Sequence, residues 1–191
     1  MTLRVPQSYN RRWGQHVAQL VSSIRWSPDG QQVLFGGPAD LFESPTYITT
    51  QPAVLELFSI DHQGKLERLT YLADVYTTTR FVNFAWSPDG SSVALPLHAE
   101  PNDYPDLYSV TQQQAANRLS IFDMATRTLT DYCVPDTTLA PPVWSPDGRL
   151  LIVEDRRTIT ENEEFLIDLA NNVAYSLTEP ATPVGWLMSR P

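Results

Sequence analysis

The pentapeptide Trp-Ser-Pro-Asp-Gly occurs three times in the 191 residues, at positions 26–30, 86–90 and 144–148, with starts 60 and 58 residues apart. Identity over five positions, three times in so short a chain, marks an internal repeat, and a repeat decides the architecture before any single element is assigned. A second token follows each copy: an apolar run ending in Asp61, Asp123 or Asp168. Each unit reads as four short strands. The first ends at Trp26, Trp86 or Trp144, as in residues 21–26 and 81–86, and the chain then turns. Pro28, Pro88 and Pro146 pre-set φ at the first turn position, while Asp29, Asp89 and Asp147 can bond the local backbone. Gly30, Gly90 and Gly148 supply the positive φ that closes a hairpin with a bulge. The second strand falls at 32–36, 92–97 and 150–154, the third is the Asp-ended run, and the fourth falls at 66–70, 128–132 and 172–178. Consecutive apolar positions such as 150–153 signal strands buried on both faces, as in small sheets stacked face to face.

The units are therefore residues 21–80, 81–138 and 139–180, preceded by a segment 1–20. Residues 181–191 begin an incomplete fourth unit, since Trp186 lies 42 residues beyond Trp144 without the Ser-Pro-Asp-Gly that should follow. Four-stranded antiparallel units repeated in this way are the blades of a β-propeller, so the fold class is all-β and incomplete as a single ring. On the Trp-Ser-Pro-Asp-Gly repeat and its Asp-ended strands, residues 21–188 resemble the WD-repeat-like propeller units of the TolB-like family, and also those of prolyl-oligopeptidase-type proteins. The resemblance implies fold more than function, because propellers serve unrelated binding and catalytic proteins. Three blades also fall short of the roughly four to eight of closed propellers. One expectation is a homodimer closing a six-bladed ring; others are a small monomeric ring completed by the two chain ends, or part of a larger propeller.

Composition narrows the partners. Thirteen Lys and Arg against 22 Asp and Glu give a net charge of −9, so no basic field exists to hold a nucleic acid. The sixteen prolines, about 8% against a usual level of about 5%, interrupt any long helical reading. One cysteine, Cys133, excludes an internal disulfide, and with three isolated histidines it leaves no zinc spacing. The first residues hold no apolar run of signal-peptide length, and no stretch of about 18 apolar residues occurs, so the expectation is a cytoplasmic chain with no membrane partner.

The units differ most between their second and third strands. From turn Asp to third-strand Asp the distance is 32 residues in the first unit, 34 in the second and 21 in the third, so the first two carry insertions. Both belong on one rim of the array, and rim loops are where propeller-type scaffolds place binding residues. Asp40, Glu43 and Tyr47 lie in the first insertion, and Glu100, Asp103, Tyr104, Asp106 and Tyr108 in the second. No Lys or Arg falls in residues 38–51 or 98–117, a composition complementary to a protein or peptide with basic residues. Asp103 and Asp106 could donate oxygens to calcium, but no EF-hand Gly and terminal Glu accompany them. The repeated Asp29, Asp89 and Asp147 are better read as turn residues than as a metal centre, and Asp61, Asp123 and Asp168 as hairpin caps. No metal or other cofactor is expected. Nucleophile-elbow, phosphate-loop and dinucleotide motifs are absent, so the expectation is a non-enzymatic interaction module or scaffold. The alternatives are a propeller domain associated with a hydrolase and a small-ligand-binding propeller formed by dimerisation.

Overall fold

The computed structural model describes residues 22–39, 54–81, 83–101, 116–132, 141–156 and 162–177. Strands β1 (Ser22–Trp26), β2 (Gln32–Pro38), β3 (Leu55–Asp61) and β4 (Leu66–Arg68) form the first blade, paired in chain order. The second blade holds β5 (Tyr76–Arg80), β6 (Ala85–Trp86), β7 (Ser92–Pro101), β8 (Ala116–Asp123) and β9 (Leu129–Tyr132), and the third β10 (Val143–Trp144), β11 (Leu150–Arg156), β12 (Asn162–Asp168) and β13 (Val173–Leu177). All pairings within blades are antiparallel, and the register repeats: Trp26 faces Val33, Trp86 faces Val93 and Trp144 faces Leu151. The architecture is an incomplete all-β propeller of stacked blades. Among the described residues no helix is long and apolar enough to cross a membrane.

The turn chemistry follows the sequence. Gly30, Gly90 and Gly148 stand at φ +67°, +73° and +71°, and each donates its N–H to the carbonyl of the Ser three residues earlier, at 2.9–3.0 Å. A Cβ on Gly30 would meet nothing within 4 Å, so backbone conformation rather than space demands glycine there.

Stacking explains the continuous apolar runs. Along β7, Val93 and Leu95 join the seam with the first blade, together with Leu34, Leu57, Leu69, Phe81, Phe84 and Phe122. Ala94, between them, points to the other seam, where Leu119 meets Trp144, Leu151, Val153 and Ile167. Successive residues of a strand alternate faces, and here both faces are covered.

The second blade departs from the expected pattern. Its inner edge is not one strand over 81–86: β6 pairs with the near half of the ten-residue β7, and β5 pairs with the far half. The second sheet thus begins upstream of Phe81. Between the two short strands Phe81 and Phe84 turn into the core, edge to face at 6.5 Å, because burying two phenyl groups outweighs continuing the ladder.

Candidate functional site

The two insertions spring from neighbouring strand ends. Pro38 pairs with Leu55 at the base of the first, and Ala99 pairs with Ala116 at the base of the second. Strand β5 lies between them: Thr79 pairs with Ala99 on one side and makes a parallel bridge to Val54 on the other. Its hydroxyl also donates to the carbonyl of Leu55 at 2.7 Å. Two strand spacings, about 10 Å, therefore separate the bases of the two insertions. The two bases are thus joined through one shared strand.

A buried carboxylate fixes this region from below. Glu56 on β3 is fully buried and accepts from Arg68 Nη2 at 2.6 Å, from the Thr70 hydroxyl, and from the backbone N–H groups of Leu72 and Ala73, each at 2.9 Å. Those two amides open the 3-10 helix Leu72–Asp74, which has no side-chain cap of its own, so Glu56 acts as a cap delivered from another strand. Arg68 also donates to the carbonyl of Thr70 at 2.9 Å and lies over the Tyr71 ring at 4.6 Å. The chain leaving the first blade is thereby clamped before it enters β5. This cluster leaves no mark in the sequence, since its partners stand 12–17 residues from Glu56 and no motif links them.

On the second blade Arg118 donates to Asp131 at 2.8 Å and to the hydroxyl of Tyr76 at 3.3 Å, and Ser120 donates to Asp131 at 2.6 Å. Arg118 is spoken for at the insertion's base rather than free to neutralise the rim.

The repeated carboxylates serve their own turns. Asp29, Asp89 and Asp147 each accept from the Ser two residues before and from the backbone N–H two residues after, at 3.0–3.1 Å for the latter. These bonds favour the charged form, so all three lie below the usual Asp value, the serine hydroxyl being the main cause. Ser27, Ser87 and Ser145 are buried, and each hydroxyl also accepts the N–H five residues on, at 2.8–3.0 Å. Asp61, Asp123 and Asp168 are held low in the same way by the hairpins they cap: chiefly the Lys65 amide, the Thr126 amide and the Asn171 side chain.

Of the candidate rim residues, Glu100 lies on β7 opposite Thr78. Asp40, Glu43, Tyr47, Asp103, Tyr104, Asp106 and Tyr108 lie outside the described residues, as does Cys133. Trp26, Trp86 and Trp144 take the same register but different surroundings: Trp26 is 54% exposed, whereas Trp144 is 9% exposed and donates its indole N–H to the carbonyl of Ala85 at 3.0 Å.

No family model matches the chain, and no curated protein matches it in sequence. Solved structures do match. TolB from Acinetobacter baumannii is similar over 81% of this chain and 31% of its own, at 17% identity and a TM-score of 0.56. An oligogalacturonate lyase in complex with manganese is similar over 81% of this chain and 35% of its own, at 14% identity and a TM-score of 0.53. The β-propeller domain of the Trilobed protease from Pyrococcus furiosus, described as having an open velcro topology, is similar over 84% of this chain and 43% of its own, at 12% identity and a TM-score of 0.52. At these identities the likeness is one of fold, that of β-propeller blades. The chain spans less than half the length of each of these three structures.

Proposed function

We propose that the chain is a non-enzymatic interaction module that presents its two insertions, on one propeller rim, to a protein or peptide carrying basic residues. One observation carries the reading: strand β5 joins the bases of both insertions, Val54 on one side and Ala99 on the other, so two acidic, tyrosine-bearing segments leave the fold about 10 Å apart. A pair of neighbouring loops can be engaged by one ligand, and their lack of Lys and Arg favours a basic one. Tyrosines supply broad contact area at low entropic cost, which suits Tyr47, Tyr104 and Tyr108 to such a surface. The clamp at Glu56 keeps the supporting edge fixed.

The test is titration with Arg/Lys-rich peptides, using acidic peptides of equal length as controls, at low and high salt. Basic peptides are expected to bind more weakly as salt rises, and the combined change Asp103→Asn, Tyr104→Ala, Asp106→Asn, Tyr108→Ala should weaken them by about tenfold or more. Equal binding of acidic peptides, or an unchanged affinity in the quadruple variant, refutes the reading.

A further inference from the structure

The repeat sets one chemically labile dipeptide at the tip of a hairpin three times, as Asp29-Gly30, Asp89-Gly90 and Asp147-Gly148, and the chain has no other Asp-Gly. Such a bond rearranges spontaneously, because glycine has no Cβ to hinder its own amide nitrogen from attacking the aspartyl side chain. The nitrogen bonds to Cγ, a Cγ–O bond breaks, and the oxygen leaves as water with the carboxyl and amide protons. Water then reopens the five-membered succinimide at either carbonyl. Opening at Cγ restores aspartate; opening at the backbone carbonyl leaves isoaspartate, with an extra methylene in the main chain.

The fold occupies each group that this reaction needs. The N–H groups of Gly30, Gly90 and Gly148 are donated to the carbonyls of Ser27, Ser87 and Ser145 at 2.9–3.0 Å. One carboxylate oxygen of each Asp accepts the hydroxyl of that same serine at 2.5–2.6 Å and the backbone N–H two residues on at 3.0–3.1 Å. Both bonds favour the ionised carboxylate, whereas loss of its oxygen as water needs the protonated form. The serines are themselves buried, and each hydroxyl is fixed by the N–H five residues on. In two turns the preceding blade also backs the glycine: a Cβ on Gly90 would stand 3.6 Å from Pro28 Cδ, and one on Gly148 3.8 Å from Pro88 Cδ.

We propose that the serine of each repeat guards the Asp-Gly bond that follows it, so that the three bonds are sites of isoaspartate formation that stay closed in the folded chain and open with their hairpins. The extra methylene falls inside the turn that sets the pairing of β1 with β2, β6 with β7 and β10 with β11. Turn geometry fixes hairpin register, so a rearranged turn no longer closes its ladder, and isoaspartate at these sites marks chains that have opened.

The experiment is incubation of the 191-residue chain at neutral pH and body temperature, then tryptic digestion and labelling with an isoaspartyl methyltransferase. The three bonds fall in separate tryptic peptides, residues 26–65, 81–118 and 128–149, and fragmentation assigns the label to the Asp-Gly bond. In the folded chain each bond should rearrange at least about tenfold more slowly than in a synthetic peptide of the same turn. Ser27→Ala, Ser87→Ala and Ser145→Ala should each raise the rate about threefold or more at their own turn and leave the other two unchanged. Equal rates in folded chain and peptides overturn the proposal, and that comparison needs no variant, so it holds even if a substitution unfolds the chain. Variants with native circular dichroism that leave their own turn unchanged also overturn it. So do such variants if they raise all three turns together, because protection then comes from global stability and not from the serine.

Discussion

At the seam between the second and third blades the Trp144 indole reaches the Ala85 carbonyl at 3.0 Å, whereas at the seam between the first and second blades the matching nitrogen of Trp86 is buried with no partner among the described residues. The carbonyl in the corresponding position belongs to Arg25, on a strand whose register shifts between Ser22 and Ile24 and whose Ser23 stands at φ +47°. That seam is tied instead by polar contacts along its edge. Ser23 donates to Asn83 at 3.2 Å, Thr79 to the Leu55 carbonyl at 2.7 Å, Arg127 to Glu67 at 3.0 Å, and Glu56 holds the connecting 3-10 helix. One sequence repeat thus builds two kinds of joint. The aromatic at the repeat position supplies bulk in both, but its hydrogen bond in only one; where that bond is missing, residues outside the repeat provide the fastening.

The largest expected effect breaks the polar joint. Glu56→Ala leaves the Arg68 guanidinium and the amides of Leu72 and Ala73 without their acceptor, at a cost of about 3 kcal/mol or more. Urea denaturation measures the loss, and amide exchange should show protection vanishing first at Leu72 and Ala73. An unchanged midpoint would remove the clamp from the account of this seam.

A smaller difference separates the two tryptophans. Trp→Phe creates a similar void at either seam, but at Trp144 it also forfeits a hydrogen bond, while at Trp86 it deletes a buried donor that has none. Trp144→Phe should therefore be the more destabilising by about 1–2 kcal/mol. Equal costs would mean that the indole bond contributes nothing and that the seams differ only in packing.

Acid probes what the blades share. Asp29, Asp89, Asp147, Asp61, Asp123 and Asp168 all titrate below their ordinary value because their charged forms accept hydrogen bonds in the fold. A depressed carboxylate stabilises the native state above its unfolded pKa, about 3.9, and that contribution disappears as pH falls through the lower native value. Melting temperature should be flat from about pH 7 to pH 5 and decline below about pH 4. The effect at any one exposed turn is the smallest considered, and Asp→Asn in a single turn should barely move the curve.

The residues that announce the fold are those whose roles are local. Pro28, Asp29 and Gly30 act within one turn, and Asp61, Asp123 and Asp168 bond amides two to four residues on, so their spacing in sequence is their geometry in space. The serines of the repeat were harder to read: their hydroxyls work across five residues, and their burial becomes visible only once the hairpin is closed. Tyr76–Arg80 carries no strand signal, because Tyr-Thr-Thr-Thr-Arg has neither an alternating pattern nor an apolar run, and it becomes a strand through its pairing with the extended end of β7. Glu56 could not be recognised as a clamp, since a Glu before an apolar run looks like any strand start. For the candidate rim, sequence located the two insertions; the strand that links their bases came from the fold.

Within the first and third sheets each strand bonds only to its chain neighbours, and among the described residues one backbone bridge, Val54 to Thr79, crosses from blade to blade. Such pairing gives a low contact order within a blade, so hairpins can zip locally while the joints form last, by side-chain docking. It also sets how the arc comes apart. Among the described residues, a fluctuation that parts the third blade from the second disrupts the indole bond and an apolar layer but no ladder, so it should proceed as a sub-global opening that leaves strand amides protected while admitting solvent to Trp144.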